Sequence, residues 1–379
     1  MKKIGFLLIF ATFAAADPIY TVANLGGLAS GPSTGYAINA SGAVAGSAQS
    51  FSGNQQAFVS TPFGLKALAP NSDESYAYGI NNSGTVVGTT YADGQAFGTI
   101  WSSTGTAQLG AGSYAMAINN AGEVVGGNGN AFTDVNGQVQ QLVTGTGIDW
   151  SAAYGVNDAG TVVGDGQLSN GTFRGIVWSP NGSMVLLGTL GGTSSQATGV
   201  SDSGEVVGFT SLADGYQHAF SMLDGMLIDL GTLGLSSYAY GVNDSGEVVG
   251  YSYLANGNQD AFLYVNGMML DLNALLPSNS GWDLLAAYGI NDAGQITGVG
   301  LYDGQPTAFL LTDPAAGPSG ITPTPEPREV LVLGAALGAI ALLHARGSLR
   351  GLGLEAATGS RGGRGSARRR NRRSTDQIG

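Results

Sequence analysis

The phrase YGVNDSGEVVG, residues 240–250, decides the fold, because the chain repeats it in seven versions. The others are YAINASGAVAG (36–46), YGINNSGTVVG (78–88), MAINNAGEVVG (116–126), YGVNDAGTVVG (154–164), TGVSDSGEVVG (198–208) and YGINDAGQITG (288–298). Their landmark residues, Asn39, Asn81, Asn119, Asn157, Ser201, Asn243 and Asn291, are spaced by 42, 38, 38, 44, 42 and 48 residues. That period fits one four-stranded propeller blade and is long for a single coil of a β-helix.

Each unit has the same internal grammar. A short apolar segment ends at the landmark, and a polar tip leads to a glycine (Gly42, Gly84, Gly122, Gly160, Gly204, Gly246 or Gly294). This is hairpin chemistry, since Asn and Asp side chains close turns and Gly accepts a positive φ. A second strand such as 247–253 follows. A third often begins Ala-Phe, at Ala57-Phe58, Ala131-Phe132, Ala219-Phe220, Ala261-Phe262 and Ala308-Phe309. An Asn-Gly or Asp-Gly turn, as at Asn136-Gly137, Asp224-Gly225 and Asn266-Gly267, opens a fourth strand such as 268–272.

The seventh unit stops after three strands, near Leu311, whereas an orphan segment, 19–27, precedes the first. Its YTVANLGG (20–27) matches the fourth-strand phrases VLLGTLGG (185–192) and LIDLGTLG (227–234). The expectation is an all-β chain: a seven-bladed β-propeller of four-stranded repeats over 17–313, its last blade closed by the N-terminal strand.

The flanks differ from this body. Residues 1–16 read as a signal peptide, with Lys2 and Lys3 before an apolar run and a small-residue cleavage site between Ala16 and Asp17. Residues 314–329 form a Pro/Thr-rich linker carrying Pro325, Glu326 and Pro327. An apolar segment, 330–345, and an Arg-rich tail, 346–379, expected to be disordered, complete the chain. The apolar run is about 14 residues against the ~20 of an ordinary membrane span, and the arginines beyond it favour a cytoplasmic C-terminus. The expected itinerary is export, anchoring by the C-terminal segment, then the cell surface or the extracellular space.

Between Asp17 and Gly320 there are 22 acids against two bases, Lys66 and Arg174. Such a body repels nucleic acid and anionic lipid and leaves cations or neutral polymers as partners. Cysteine is absent, and the two histidines are His218 and His344. This argues against disulfides, thiol chemistry, a Ser-His-Asp triad and multi-His metal sites. No cofactor is expected. Glycoside hydrolysis needs two carboxylates facing one cleft. The acids Asp158, Asp202, Asp244 and Asp292, and likewise Glu123, Glu205 and Glu247, recur at equivalent tip positions, which favours turn formation. Calcium is the alternative, with Asp244 and Glu247, and Asp202 and Glu205, as ligands. The recurring Tyr36, Tyr78, Tyr154, Tyr240 and Tyr288 are expected to pack between blades, whereas Trp101, Trp150, Trp178 and Trp282 do not repeat and are the candidates for a specific site or for blade caps.

The units resemble HAF repeats of bacterial extracellular proteins, through GVNDSGEVVG with the Ala-Phe strand, including His218-Ala219-Phe220, and LGTLGG at 187–192. The C-terminal Pro-Glu-Pro, apolar run and arginines resemble a PEP-CTERM sorting signal, although residues 347–379 continue past the usual end of such signals. These resemblances imply a Gram-negative host, recognition by an exosortase-type membrane protease, removal of the tail, and association with exopolysaccharide or other surface proteins of a biofilm matrix. The functional expectation is a non-catalytic scaffold or binding module at the cell surface. The alternative is a secreted hydrolase acting on polysaccharide.

Overall fold

A computed structural model describes residues 20–313. The signal peptide with Ala16 and Asp17, the motif Pro325, Glu326 and Pro327, and the apolar and Arg-rich segments lie outside those residues. Within them the chain forms seven four-stranded antiparallel sheets. Blade 1 spans 33–67, blade 2 74–111, blade 3 114–141, blade 4 148–186, blade 5 191–229 and blade 6 234–271. Blade 7 contains Trp282–Ile290, Ile296–Tyr302 and Gln305–Thr312, and its outer position is filled by Thr21–Gly26, antiparallel to Gln305–Thr312. The ring is therefore closed by the first strand, as the orphan segment indicates. The one helix among the described residues is the 3₁₀ turn Leu272–Leu275, and none there is long and apolar enough to cross a membrane.

The repeated phrase folds the same way in every blade. The tip glycine has φ between 69° and 90°, and its N–H donates to the landmark carbonyl, as from Gly42 to Asn39 at 3.0 Å. A side chain would resist this left-handed conformation. The first strand then carries a β-bulge in all seven blades, and the residue left unpaired is always the first of the phrase: Tyr36, Tyr78, Met116, Tyr154, Thr198, Tyr240 or Tyr288. The extra residue bends the strand and re-aims its side chain.

The bulge explains the glycine that ends the phrase. A Cβ on Gly164 would overlap the carbonyl oxygen of Ala152, and one on Gly250 that of Tyr238. Across the sheet that glycine faces the third-strand aromatic, in pairs such as Gly46 with Phe58 and Gly250 with Phe262. Phe58, Phe132, Phe220, Phe262 and Phe309 are fully buried. They fill the room that the missing side chain leaves. Between blades, the second valine of one phrase packs against the first of the next, as Val163 with Val206 and Val207 with Val248. Serines of the following blade accept from third-strand N–H groups across most seams, Ser75 Oγ from Ala57 and Ser237 Oγ from Ala219 among them, at 2.9 and 2.8 Å. Those donors are buried, so each bond removes a desolvation cost.

Gly250→Ala is expected to cost about 3 kcal/mol, because the backbone itself must move. Gly188 has open space around its Cβ position and no positive φ, so Gly188→Ala should be neutral or slightly stabilising. Urea denaturation of the two variants checks this, and equal midpoints would contradict the close-approach account.

Candidate functional site

The tips meet around the central axis, where each landmark asparagine bonds in two directions. The Oδ1 atom of Asn39 accepts from the N–H groups of Ser41 and Ala43, at 3.1 and 3.0 Å, closing its own turn. Its Nδ2 donates to the carbonyl of Asn81 in the next blade, at 3.1 Å. The same reach runs from Asn81 to Asn119, Asn119 to Asn157, Asn157 to Ser201, Asn243 to Asn291, and Asn291 back to Asn39, at 2.9–3.2 Å. Ser201 has no amide to donate, and its hydroxyl instead pairs with Ser203. An open row of such bonds lies beside the first circle: Asp158 accepts from Asn120 N–H, Asp202 from Asp158 N–H, Asp244 from Ser203 N–H and Asp292 from Asp244 N–H, at 2.7–2.9 Å, and it breaks at blade 1, where the Ala40 side chain has no acceptor.

The tip aspartates thus join blades. Asp202 has its pKa raised, mainly by burial, with the charges of Asp158, Asp244 and Asp292 adding to this and the bond from Asp158 N–H opposing it. The glutamates turn the other way: Glu247 accepts from Asn243 Nδ2 at 2.7 Å, and Glu205 from the Ser221 hydroxyl. Each pair considered for calcium is split, with the aspartate on a neighbouring backbone and the glutamate on its own blade. No group of three or more metal-ligating side chains converges among the described residues.

Below the tip ring the channel passes a ring of Ile and Val, one per blade from Ile38 to Ile290, and opens into a cavity of about 560 Å³. The bulged residues form its wall. Tyr36, Tyr78, Tyr154, Tyr240 and Tyr288 all line the channel, and those of blades 6, 7, 1 and 2 also pack on one another across the blade seams, as expected of them. Tyr240, Tyr288, Tyr36 and Tyr78 make an arc with ring centroids 5.3, 5.7 and 5.5 Å apart. Burial, with smaller contributions from Tyr240 and Tyr36, pushes the Tyr288 phenol up to about 12. The cavity lining contains no Asp, Glu, Lys, Arg or His.

A side pocket of about 350 Å³ adjoins the channel at the seam of blades 4 and 5, sharing Tyr154 and Gln196 with it. Trp150 and Phe173 meet edge to face at 6.4 Å to form one corner, and Phe209 stands on the blade 5 side. At its base is Asp165, 3% exposed. Gln196 Nε2 donates to Asp165 Oδ2 at 2.7 Å, while Oδ1 has no partner of hydrogen-bonding geometry. Burial pushes this carboxyl up to about 6, against the bonds from Gln196 and Tyr154, which lower it. Of the four tryptophans, Trp150 alone lines this pocket. Trp101 and Trp178 are buried, the latter donating to the Val143 carbonyl at 2.8 Å, and Trp282 packs on Tyr302 and Phe309.

Asp165 went unnoticed in the sequence because it belongs to no motif. Its signal was a departure from the repeat: eight residues after each landmark the other blades carry Ser47, Thr89, Gly127, Phe209, Tyr251 and Val299. Elsewhere, Asp260, Asp271 and Asp283 come together near the seam of blades 6 and 7, where burial and then the charges of Asp271 and Asp283 push Asp260 up to about 6. In blade 5 the positions of Asp260 and Asp271 hold His218 and Asp229, with His218 Nδ1 and an Asp229 oxygen 2.9 Å apart.

No family model and no curated protein sequence matches the chain. Among solved structures it is similar to a gluconolactonase from Xanthomonas campestris, XC5397, at 15% identity and a TM-score of 0.38, over 65% of this chain and 92% of that one. It is similar also to a puromycin-hydrolyzing peptidase from Mycobacterium tuberculosis, at 11% identity and a TM-score of 0.49, over 74% of this chain and 51% of that one. A third is TolB from Acinetobacter baumannii, at 11% identity and a TM-score of 0.40, over 57% of this chain and 60% of that one. At such distances no activity transfers to this chain.

Ser201→Asn should complete the inner hydrogen-bond circle and stabilise the protein by about 1 kcal/mol, read from its denaturation midpoint. An unchanged or lowered midpoint would count against the circle. A second expectation concerns pH. Because the folded state holds the Asp165 proton above the unfolded carboxyl's 3.8, this group's stabilisation is present at low pH, is lost as pH rises towards about 6, and stays lost above. Asp165→Asn should therefore be more stable than the parent at pH 8 by about 1–2 kcal/mol, the relief of a buried charge less the cost of an unpaired amide donor. The difference should shrink near pH 4, as thermal melts at both pH values will show.

Proposed function

We propose that the chain is an exported propeller that acts without catalysis, holding neutral or cationic polymers, carbohydrate foremost, at the cell surface or in the extracellular matrix. The observation that carries this reading is the channel wall. Seven bulges deliver five tyrosines to one cavity, and an aromatic pocket joins it. Aromatic rings offer flat apolar faces on which the C–H face of a sugar can pack, with polar edges for its hydroxyls. The acidic body, with two bases between Asp17 and Gly320, repels polyanions.

Hydrolysis is the weaker reading on the same grounds. Glycosidases place two carboxyls about 5–9 Å apart across the scissile bond. The cavity and side pocket below the Ile and Val ring contain one carboxyl, Asp165, while Asp158, Asp202, Asp244 and Asp292 line the channel mouth on the other side of that ring and accept from backbone N–H groups. Delivery rests on the flanks, where the signal peptide, Pro-Glu-Pro motif, apolar run and arginines support export and PEP-CTERM-type sorting by an exosortase-type protease, with a membrane-held intermediate before release or surface attachment.

Purified protein titrated with a panel of bacterial polysaccharides should bind at least one saturably without releasing reducing ends, and Tyr36→Ala with Tyr288→Ala should weaken that binding about tenfold. Released sugar would overturn the non-catalytic reading. In cell fractions, the protein should be found outside the cytoplasm with its N-terminus at Asp17. An intact Met1 terminus in the cytoplasm would remove the case for export.

A further inference from the structure

The pocket at the seam of blades 4 and 5 contains a buried carboxyl with one oxygen that makes no hydrogen bond of good geometry. Asp165 is held on the second strand of blade 4, and Gln196 from blade 5 fixes one of its oxygens at 2.7 Å. The other oxygen makes no hydrogen bond of good geometry, although the Tyr154 hydroxyl stands near enough to the carboxyl to lower its pKa, and the group is 3% exposed. A carboxylate so placed costs several kcal/mol unless a donor or a cation reaches it. The protein supplies no cation: the lining contains no Lys, Arg or His. Around the carboxyl stand Trp150, Phe173, Tyr154 and Phe209. Aromatic faces attract organic cations as well as sugar faces.

We propose that this pocket binds a primary ammonium group carried on a sugar, the 2-amino group of an N-deacetylated hexosamine in a polysaccharide, with Asp165 Oδ1 accepting from the ammonium and the Trp150–Phe173 corner packing on the ring. A quaternary ammonium has no hydrogen to give to Oδ1, and an acetamido group has no charge to offset that of Asp165. A primary ammonium has both. Trp150, Asp165 and Phe173 come from three strands of one blade, and Gln196 and Phe209 from its neighbour, so the site exists only where this pair of blades meets. The other titratable group of the lining, Tyr154, has its pKa raised by burial and by the charge of Asp165, and stays neutral.

This assignment rests on the reading of the chain as a polysaccharide-binding module, and the test separates the two. The full chain is titrated with glucosamine, N-acetylglucosamine and tetramethylammonium by NMR or calorimetry at pH 7.5, alongside the polysaccharide panel. Glucosamine should bind at least about tenfold more tightly than N-acetylglucosamine, the worth of one charge-assisted bond. Asp165→Asn, which is expected to remain folded, should abolish that preference, and Trp150→Ala should weaken binding of both sugars. Affinity for glucosamine should also fall below pH 6 as Asp165 takes up its proton. Equal binding of the two sugars, tighter binding of tetramethylammonium, or an unchanged preference in Asp165→Asn overturns the assignment. If polysaccharides bind while glucosamine does not, the ammonium site fails and the module reading stands. If glucosamine binds through Asp165 and no polysaccharide does, the site stands and the module reading fails.

Discussion

A propeller has to hold seven separate sheets in a ring although no backbone ladder joins one sheet to the next. Here the constraint is met by a carboxamide, which has an acceptor and a donor on the same carbon. The acceptor of Asn39 fixes its own turn and the donor reaches the next blade's carbonyl. Turn geometry and ring geometry are thereby coupled: a tip that loosens its turn also releases its neighbour. Aspartate could close the turn, but when ionised it has no donor for the second bond. That asymmetry accounts for the division of labour at the tips, with Asn at the landmark and Asp one position later, where only acceptance is needed, as from the N–H of Asp158 to Asp202.

Most of the architecture was legible because it is written seven times. Period, tip chemistry, the Ala-Phe strand and the orphan N-terminal segment each specify a feature found in the folded chain, and the pairing of Thr21–Gly26 with Gln305–Thr312 is the clearest case. The channel wall was not legible in the same way. Alternation puts Tyr36 and Ile38 on one face and both line the cavity, but nothing along the chain says that this face is the channel wall, or that the strand is irregular at Tyr36, which is skipped between the pairs Gly35–Gly46 and Ala37–Ala45. The clue was available in the glycine at position 46, whose Cβ would overlap the Thr34 carbonyl. Reading it as a bulge required knowing what lay across the sheet.

The site was the least legible part, for a physical reason. Repeats announce what every blade needs to fold, so residues that serve one blade alone appear as noise. Asp165, Trp150 and Phe173 break the pattern in blade 4, and nothing along the chain shows that they share a pocket with Gln196 and Phe209 of blade 5. The tip acids, by contrast, attracted attention as ligands because they recur, and their recurrence reflects hydrogen bonds to backbone. In a repeat protein the common residues describe the scaffold, and the exceptions describe the chemistry.

The strand that closes the ring sets an order on its formation. Thr21 and Thr312, hydrogen-bonded at 3.1 Å, are separated by 291 positions, so the first strand to leave the ribosome, or to emerge across a membrane, is the last to find its partner. Until Gln305–Thr312 follows, six blades can assemble by local pairing while the leading segment stays single and the seventh sheet has an open edge. Contacts of that separation are slow to form, since a long loop must be closed before they bring any gain. A chain truncated before Gln305–Thr312 would therefore leave Thr21–Gly26 without its partner, and completion of the last strand is what gives the seventh sheet its four strands and ties the two ends of the ring together.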